Sequence, residues 1–292
     1  MHLRRPLIVA WLLALAFLPG CGPAEQTGTV QEQLQEGWHR YTTGSFGFAE
    51  KQFKSILKQP DLTDEAKYSA LLGLATTYHY STNPDLGAAR AQYEALQDVP
   101  LEAARRQALL GLGLVDLQEG NAEAARVKFI QLTQQYPDSL EADEGALHRA
   151  DSLLHPREAE EETGDYTLPP DSDVEKAMQV LLTRLSERPD NPLAAVMHLR
   201  LSDRYIERKA WREAIDHMKK ALAKGITSSR TRSATMWSIA RIAEKELKDY
   251  ALAAEYYETF TQETKRHVLY YRATQSLERV RGLMQQAEVG SS

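Results

Sequence analysis

Residues 112–137 read LGLVDLQEGNAEAARVKFIQLTQQYP, and this stretch decides the fold. Ala125, Phe129 and Leu132 stand at positions i, i+4 and i+7, which lie on one stripe of an α-helix. A turn at Gly120 separates this helix from an apolar segment upstream, and Pro137 ends it. The stretch therefore predicts two amphipathic helices joined by a short turn.

The same stripe, a small residue followed four and seven positions later by aromatic or apolar residues, occurs five more times along the chain, in a weaker form at Ala177, Leu181, Arg184. The copies are Ala49, Phe53, Ile56; Ala89, Tyr93, Leu96; Ala177, Leu181, Arg184; Ala214, Met218, Ala221; and Ala253, Tyr257, Phe260. Successive alanines are 40, 36, 52, 37 and 39 residues apart, close to the period of about 34 of a tetratricopeptide repeat. An internal helical repeat therefore organises most of the sequence.

The third unit resembles the tetratricopeptide-repeat (TPR) family. Its signature positions correspond to Leu112, Gly113, Gly120, Ala125, Phe129, Leu132 and Pro137, those of the fifth unit to Leu201, Ser202, Tyr205, Trp211, Ala214 and Ala221, and the sixth has Trp237 at the family's tryptophan position. The resemblance implies an all-α fold, a right-handed α-solenoid of about six TPR-like helix-turn-helix repeats. In such a fold a small side chain lets two helices approach closely enough for an aromatic ring to fit between them.

The 52-residue interval predicts an insertion within the fourth repeat. Residues 156–172, PREAEEETGDYTLPPDS, combine an acidic run with a Pro-Pro pair, so they predict an exposed loop, either simply solvated or in contact with a partner. The predicted organisation is a signal peptide (1–20), a lipidated cysteine with a tether (21–30), repeats 1–3 with the first helix of repeat 4 (31–155), the insertion (156–172), the remaining repeats (173–265), and a terminal capping helix with a tail (266–292).

The first twenty residues have the layout of a secretory signal. Arg4 and Arg5 precede an apolar run from Pro6 to Leu18, which at 13 residues is shorter than the roughly 20 that a membrane-spanning helix needs. The run leads into Leu18, Pro19, Gly20 and Cys21, which resembles the lipobox of bacterial lipoproteins; an ordinary signal with an incidental cysteine is the alternative. The resemblance implies acylation of Cys21, and Gly22 behind it is similar to an outer-membrane address, facing the periplasm.

Composition limits the partners and the chemistry. Loss of the signal takes the formal net charge from −6 to −8, which disfavours nucleic acid as a partner. We find no catalytic motif and expect neither an enzyme nor a cofactor. Glu144, His148, Asp151 and His155 share a helix face, but His148 and His155 lie about 10 Å apart along its axis, so a polar face is favoured over a metal site.

The TPR resemblance also implies a binding groove lined by the first helix of each repeat. The corresponding positions in this chain are Trp38, Tyr41, Leu74, Thr77, Leu114, Leu117, Asp203, Ile206, Ile242 and Lys245. Aromatic side chains dominate many interfaces, so Trp38 and Tyr41 are the expected anchors, although apolar residues at helical spacing more often serve packing. Proteins or peptides of the cell envelope are the expected partners, and the sequence leaves the oligomeric state open.

Residues 129–147, FIQLTQQYPDSLEADEGAL, resemble the repeats of BamD-like lipoproteins of the β-barrel assembly machinery and of Tol-Pal-associated periplasmic proteins. The resemblance is at the level of the repeat. It implies a lipid-anchored scaffold for protein–protein interaction in outer-membrane or envelope assembly. An adaptor lipoprotein of a secretion, pilus or polysaccharide-export complex is the alternative, and an enzyme or metal-binding protein ranks third.

A Cys21→Ser variant tests the anchor. Without the thiol no lipid is attached, so the variant should leave the membrane fraction while its circular dichroism keeps the helical signal of the unchanged repeats. Subcellular fractionation and intact-mass measurement check this. Continued fractionation of the variant with membranes through its own N-terminus would contradict the anchor.

Overall fold

The computed structural model describes residues 28–154, 157–158, 166–167 and 169–290, with side chains up to residue 286 in the last segment and none for the four residues in the short middle segments. The predicted signal peptide, Cys21, most of the predicted tether and most of the predicted insertion lie outside the described residues. No helix in the described ranges is both long enough and apolar enough to cross a membrane. The chain divides into two compact units after Ser152.

The first unit is built from helices that follow one another at short intervals. They are α1 (Val30–Thr42), α2 (Phe46–Leu57), α3 (Asp64–Tyr80), α4 (Leu86–Ala95), α5 (Glu102–Gln118), α6 (Ala122–Gln135) and α7 (Leu140–Leu153). Consecutive helices pack as the pairs α1–α2, α3–α4 and α5–α6. Gln59, just after α2, donates to Gln33 near the start of α1 at 2.6 Å, as expected for antiparallel partners.

The second unit repeats the arrangement. Its helices are α8 (Asp171–Glu187), α9 (Ala194–Glu207), α10 (Trp211–Lys224), α11 (Ser229–Ile242), α12 (Tyr250–Glu263) and α13 (Tyr270–Gly290). The pairs α9–α10 and α11–α12 pack closely, and α13 packs on α12. Between α7 and α8, Arg157–Glu158 (β1) and Tyr166–Thr167 (β2) form a short antiparallel pair inside the segment predicted as a loop. The rest of the fold is helical within the described residues.

The predicted stripes form the core of both units. All eighteen stripe residues are buried, none with more than 3% of its surface exposed, which confirms the helical register read from the sequence. Even Arg184, the polar member, is 2% exposed and lies 3.6 Å from the Glu187 carboxylate. The periodicity therefore identified the buried face of every second helix in the six repeats.

Glycine provides the close approach that lets aromatic rings enter these cores. A Cβ on Gly73 would lie 2.3 Å from the ring of Phe53, and a Cβ on Gly37 would lie 2.7 Å from the same ring. Gly111 faces Tyr93 at 2.3 Å in the same way. Phe53 and its counterparts thus occupy space that any side chain at these glycines would fill.

The turns between paired helices need a left-handed residue. Gly44 and Gly120 supply it in the first and third repeats with φ of 79° and 85°, a conformation that glycine adopts without strain. In the fifth and sixth repeats Lys209 and Lys248 adopt φ of 57° and 55° at the equivalent turns. The fifth and sixth repeats therefore keep the positive φ at this turn with a lysine in place of glycine.

Substitution of Gly73 tests the close approach of the helices. Gly73→Ala should lower the free energy of unfolding by about 1 to 3 kcal/mol because the new methyl overlaps the enclosed Phe53 ring, despite a helix-propensity gain of about 1 kcal/mol. Gly47→Ala is the matched control, since Gly47 lies in α2 with nothing within 4 Å of its Cβ position. Chemical denaturation measures both variants, and equal stability of the two would show that the ring is free to move aside.

Candidate partner-binding surface

Three of the ten predicted groove positions lie inside the helix packing. Leu74, Thr77 and Ile242 are 3%, 2% and 9% exposed. Leu74 packs with Phe53 in the first core, and the Thr77 hydroxyl donates to the Gly73 carbonyl at 2.6 Å. These side chains hold the repeats together, which corrects their assignment to an open surface.

Trp38 packs against residues of both the first and the second repeat. Its indole N–H donates to the Ser69 hydroxyl at 3.0 Å, and its ring meets Phe53 edge-on at 5.4 Å between centroids. Tyr41, one turn further along α1, contacts the Trp38 ring at 5.8 Å and stays half-buried. Both expected aromatic anchors are therefore half-buried against a cluster that includes residues of the second repeat.

The other predicted positions are only partly exposed or are already engaged. Leu114 and Leu117 are half-buried against the Phe129 cluster, and Ile206 is half-buried against the core of the second unit. Asp203 is exposed, whereas Lys245 contacts the Glu244 carboxylate at 2.7 Å. A role of these positions in partner binding stays a prediction.

Two buried carboxylates have the cationic partners that burial of a charge demands. Asp116, 3% exposed, accepts from Arg90 at 2.7 Å and also from Lys128. Glu244, also 3% exposed, accepts from Arg279 at 2.7 Å. Although burial acts to raise the pKa of Glu244, its hydrogen bonds bring that pKa below the usual value. Both groups tie neighbouring helices together, so their role is structural.

Glu144 on α7 is the exception. Its side chain is 9% exposed and no cation pairs with it among the described residues, but its oxygens are not sealed off, since no fully buried side-chain oxygen in those residues lacks a hydrogen-bond partner. Burial, together with the nearby negative charges of Glu141 and Asp143, raises the pKa of Glu144 to about 7. Because the charged form of a largely buried carboxyl is costly, a cation placed beside Glu144 would favour that form.

Tyr80 lies within electrostatic range of both Glu144 and Tyr41. Burial raises the pKa of Tyr80, at the end of α3, and both Tyr41 and Glu144 raise that pKa further through space. Tyr80 stacks on the His79 ring at 4.2 Å. We name Tyr41, Tyr80 and Glu144 the tyrosine–glutamate face; its members come from the first helices of repeats one, two and four.

A neutral histidine, His79, packs against the ring of Tyr80. His79 is 2% exposed, and its Nδ1 lies 3.3 Å from the Tyr93 hydroxyl. Burial lowers the pKa of His79 to about 4, while a hydrogen bond with Gln118 acts in the opposite direction. The imidazole therefore carries no charge near neutral pH and presents a flat surface against which the Tyr80 ring is held.

The tyrosine–glutamate face offers phenol hydroxyls, ring surface and one desolvated carboxylate. This combination suits a lysine, an arginine or a free amine, since a cation would restore the charged form of Glu144 and can lie against the aromatic rings. No group of three potential metal ligands occurs in the described ranges, and His155 of the predicted polar face falls outside them. His148 of that face instead lies 6.0 Å from the Phe129 ring.

A second titratable pair occurs in the core of the other unit. The Nδ1 atoms of His198 and His217 lie 2.9 Å apart, and Tyr205 stacks on the His217 ring at 5.2 Å. Burial lowers the pKa of His198 to about 4, and the neighbouring His217 lowers it further. At neutral pH one imidazole donates to the other, so this pair is a packing element.

Comparison with known proteins supports this repeat architecture. Over 83% of its length the chain is similar to PilF of Pseudomonas aeruginosa, covering 95% of that protein at 13% identity with a TM-score of 0.51. It is similar to the apo form of RapI over 89% of its length, covering 73% of that chain at 12% identity with a TM-score of 0.52. The chain has a TPR fold.

The other comparisons add nothing to the TPR assignment. A tetratricopeptide-repeat protein from Parabacteroides merdae is 14% identical over 86% of this chain and 84% of its own, with a TM-score of 0.47. No protein-family model matches the sequence, and no curated protein matches it significantly. At these identities the likeness concerns the fold.

The sequence pointed to only part of the tyrosine–glutamate face. Tyr41 was expected as an anchor from its position in the first helix, whereas Glu144 was read as a member of an ordinary polar helix face and Tyr80 was missed. A period of three to four residues identifies the helix face of Glu144 but not the burial that neighbouring repeats impose. The available signal was a glutamate among small residues, EADEGAL at 141–147, where a helix packs closely.

The pH dependence of stability tests the state of Glu144. A carboxyl whose folded-state pKa is raised from 4.5 to about 7 binds a proton more tightly in the folded chain, so its contribution is present below pH 4.5 and is lost as the pH rises to about 7. Glu144→Gln should therefore gain on the order of 2 to 3 kcal/mol relative to the wild type across this window. Denaturation at a series of pH values measures the difference, and the exposed Glu94→Gln is the matched control. A difference independent of pH would contradict the raised pKa.

Proposed function

We propose that this chain is a lipid-anchored TPR scaffold of the bacterial envelope, facing the periplasm, that holds another envelope protein in an assembly process. The observation that carries the proposal is the largely buried carboxylate of Glu144, which has no cationic partner among the described residues and lies near Tyr80. Stacked helix pairs provide extended surfaces for peptides or helices, and a TPR fold is typically a scaffold without catalytic activity. Binding, rather than chemistry, is the function that this face serves best.

The position of the tyrosine–glutamate face within the repeats supports partner binding. Its three members come from three different repeats. The binding of one ligand to all of them would therefore depend on the relative positions of α1, α3 and α7. A protein side chain such as lysine or arginine reaches a recessed carboxylate with its charged end while its stem lies along the tyrosine rings. The proposed partner therefore presents a basic residue to the first unit.

The cellular location of the proposal rests on the N-terminal sequence. Arg4, Arg5 and the apolar run before Cys21 favour export and lipid attachment, and the small polar residues after Cys21 provide a tether to α1. A lipid anchor holds the repeats near a membrane, where a scaffold meets the proteins that it assembles. Barrel-assembly proteins are the first class of partner that we expect.

Affinity purification of the tagged full-length chain from detergent-solubilised membranes tests the proposal. Mass spectrometry of the co-purified proteins should identify subunits of outer-membrane protein assembly; components of a secretion, pilus or polysaccharide-export system would instead favour the adaptor. Glu144→Gln should reduce the recovered partner at least about tenfold, because loss of one member of a buried charge pair costs 2 kcal/mol or more.

The exposed Glu94→Gln variant controls for the loss of one carboxylate elsewhere on the first unit. Equal recovery of the partner with wild type and Glu144→Gln would exclude the tyrosine–glutamate face as the binding site. Hydrolytic activity of the purified chain, with no protein recovered, would overturn the scaffold and favour an enzyme.

A further inference from the structure

The loop between α12 and α13 exposes apolar side chains at one end of the second unit. Val268 is 90% exposed, and Tyr270 and Tyr271 at the start of α13 are 37% and 71% exposed. The three lie within four residues of sequence, so they form a cluster rather than isolated surface positions. We name residues 264–272 the tip.

The tip has a defined shape. The His267 amide donates to the Thr264 carbonyl at 2.8 Å, and the Tyr270 amide donates to the His267 carbonyl at 2.9 Å. The Leu269 amide donates to His267 Nδ1 at 3.1 Å, while the His267 ring meets Phe260 edge-on at 5.2 Å. His267 therefore holds the loop against the core, and Val268, the next residue, is directed outward.

Unpaired positive charge surrounds the apolar cluster. Lys265, Arg266 and Arg272 are exposed, and none has an ion-pair partner among the described residues. No acidic residue occurs between Glu263 and Glu278, and Glu263 itself is held by Arg232 at 2.8 and 2.9 Å. The tip is thus locally cationic in a chain whose formal net charge is −6.

Phe48, an exposed aromatic residue of the other unit, differs from the tip because nearby cations contact its ring. It is 65% exposed, but Arg40 and Lys51 lie over its ring at 5.6 and 5.9 Å. These cation–π contacts use the nearby charges within the protein. At the tip, cations and rings both remain directed to solvent.

From this combination we infer that the tip contacts the surface of a lipid bilayer that contains anionic lipid. Lysine and arginine attract anionic headgroups, tyrosine favours the interfacial layer, and a protruding valine can enter the boundary of the acyl chains. A side chain that is 90% exposed has almost no protein around it, which suits a fluid surface better than a preformed pocket on a partner protein. The attraction should fall as salt screens the charges.

This contact goes beyond the proposed function and does not depend on it. Proteins with a single weak membrane signal bind reversibly, and a second signal makes the attachment stable. A tip contact would supply such a signal from the second unit, whatever holds the N-terminus. The proposal concerns residues 264–272 alone.

A fluorescent reporter on the tip tests the inference in the full-length chain. The Val268→Cys variant is purified from membranes and labelled with an environment-sensitive fluorophore. If Cys21 is acylated, Cys at position 268 is the free thiol that takes the label. A second label, detected by mass measurement, would show separately that Cys21 is not acylated. The protein is reconstituted into phosphatidylcholine vesicles with or without about one quarter phosphatidylglycerol. Nitroxide-labelled lipids in the vesicles quench a fluorophore that reaches the interface.

Two controls separate the tip from general proximity to the bilayer. Ala251→Cys places the reporter at an exposed site at the opposite end of α12, about 18 Å along the helix from Glu263. The triple variant Lys265→Gln, Arg266→Gln, Arg272→Gln removes the charges of the tip, and Lys209→Gln, Arg212→Gln, Lys248→Gln removes the same number of exposed charges elsewhere in the unit.

The expected result is strong quenching and a blue-shifted emission at residue 268, but not at residue 251, in vesicles with phosphatidylglycerol. The tip triple variant should lower the equilibrium constant for this contact roughly 100-fold, and the control triple variant should not. Equal quenching at the two sites, or quenching at residue 268 that is independent of anionic lipid, would overturn the inference. Protection of residue 268 only by a co-purified acidic protein would also overturn it.

Discussion

The close approach of a glycine to an aromatic ring is the contact on which this structure depends. Phe53 lies between Gly37 and Gly73, so the first repeat and the second share one ring, and Gly111 accepts Tyr93 in the same manner. Each such ring is buried by two helices of one repeat and one of the next. Because the helices approach so closely there, polar groups at nearby positions lose water, and the burial of His79 and Glu144 follows from the same packing.

Burial of charge is handled in two different ways in the chain. Asp116 and Glu244 are enclosed together with cations from neighbouring helices, and these networks join one repeat to the next. Glu144 is enclosed without a cation and beside other carboxylates, which keeps its pKa near 7. The first arrangement stabilises the fold. In the second, the Glu144 carboxylate on α7 has no cationic partner among the described residues, so a bound cation would stabilise its charged form. The proposed scaffold function rests on this difference.

Much of the fold was predictable because a solenoid depends on local sequence. The stripe spacing identified every second helix, Pro137 marked a helix end, and Gly120 marked a turn, all of which concern residues close in the chain. The candidate site was less predictable because it depends on contacts between repeats. Leu74 and Thr77 occupy first-helix positions that suit a groove, yet the next repeat covers them. Their exposure is decided by neighbours that lie many residues away.

The sequence by itself determined the repeat, its helical register and the expectation of a lipid anchor at Cys21, since each depends on short-range pattern or composition. Only the tertiary structure decided which polar groups are paired. Tyr41 and Glu144 are about a hundred residues apart in the chain, yet both lie within electrostatic range of Tyr80 because stacking brings the first helices of the repeats together. The outward direction of Val268 was likewise decided by the hydrogen bonds of His267 within its loop. Burial and electrostatic pairing are properties of the packed helices, and periodicity in one chain segment does not specify them.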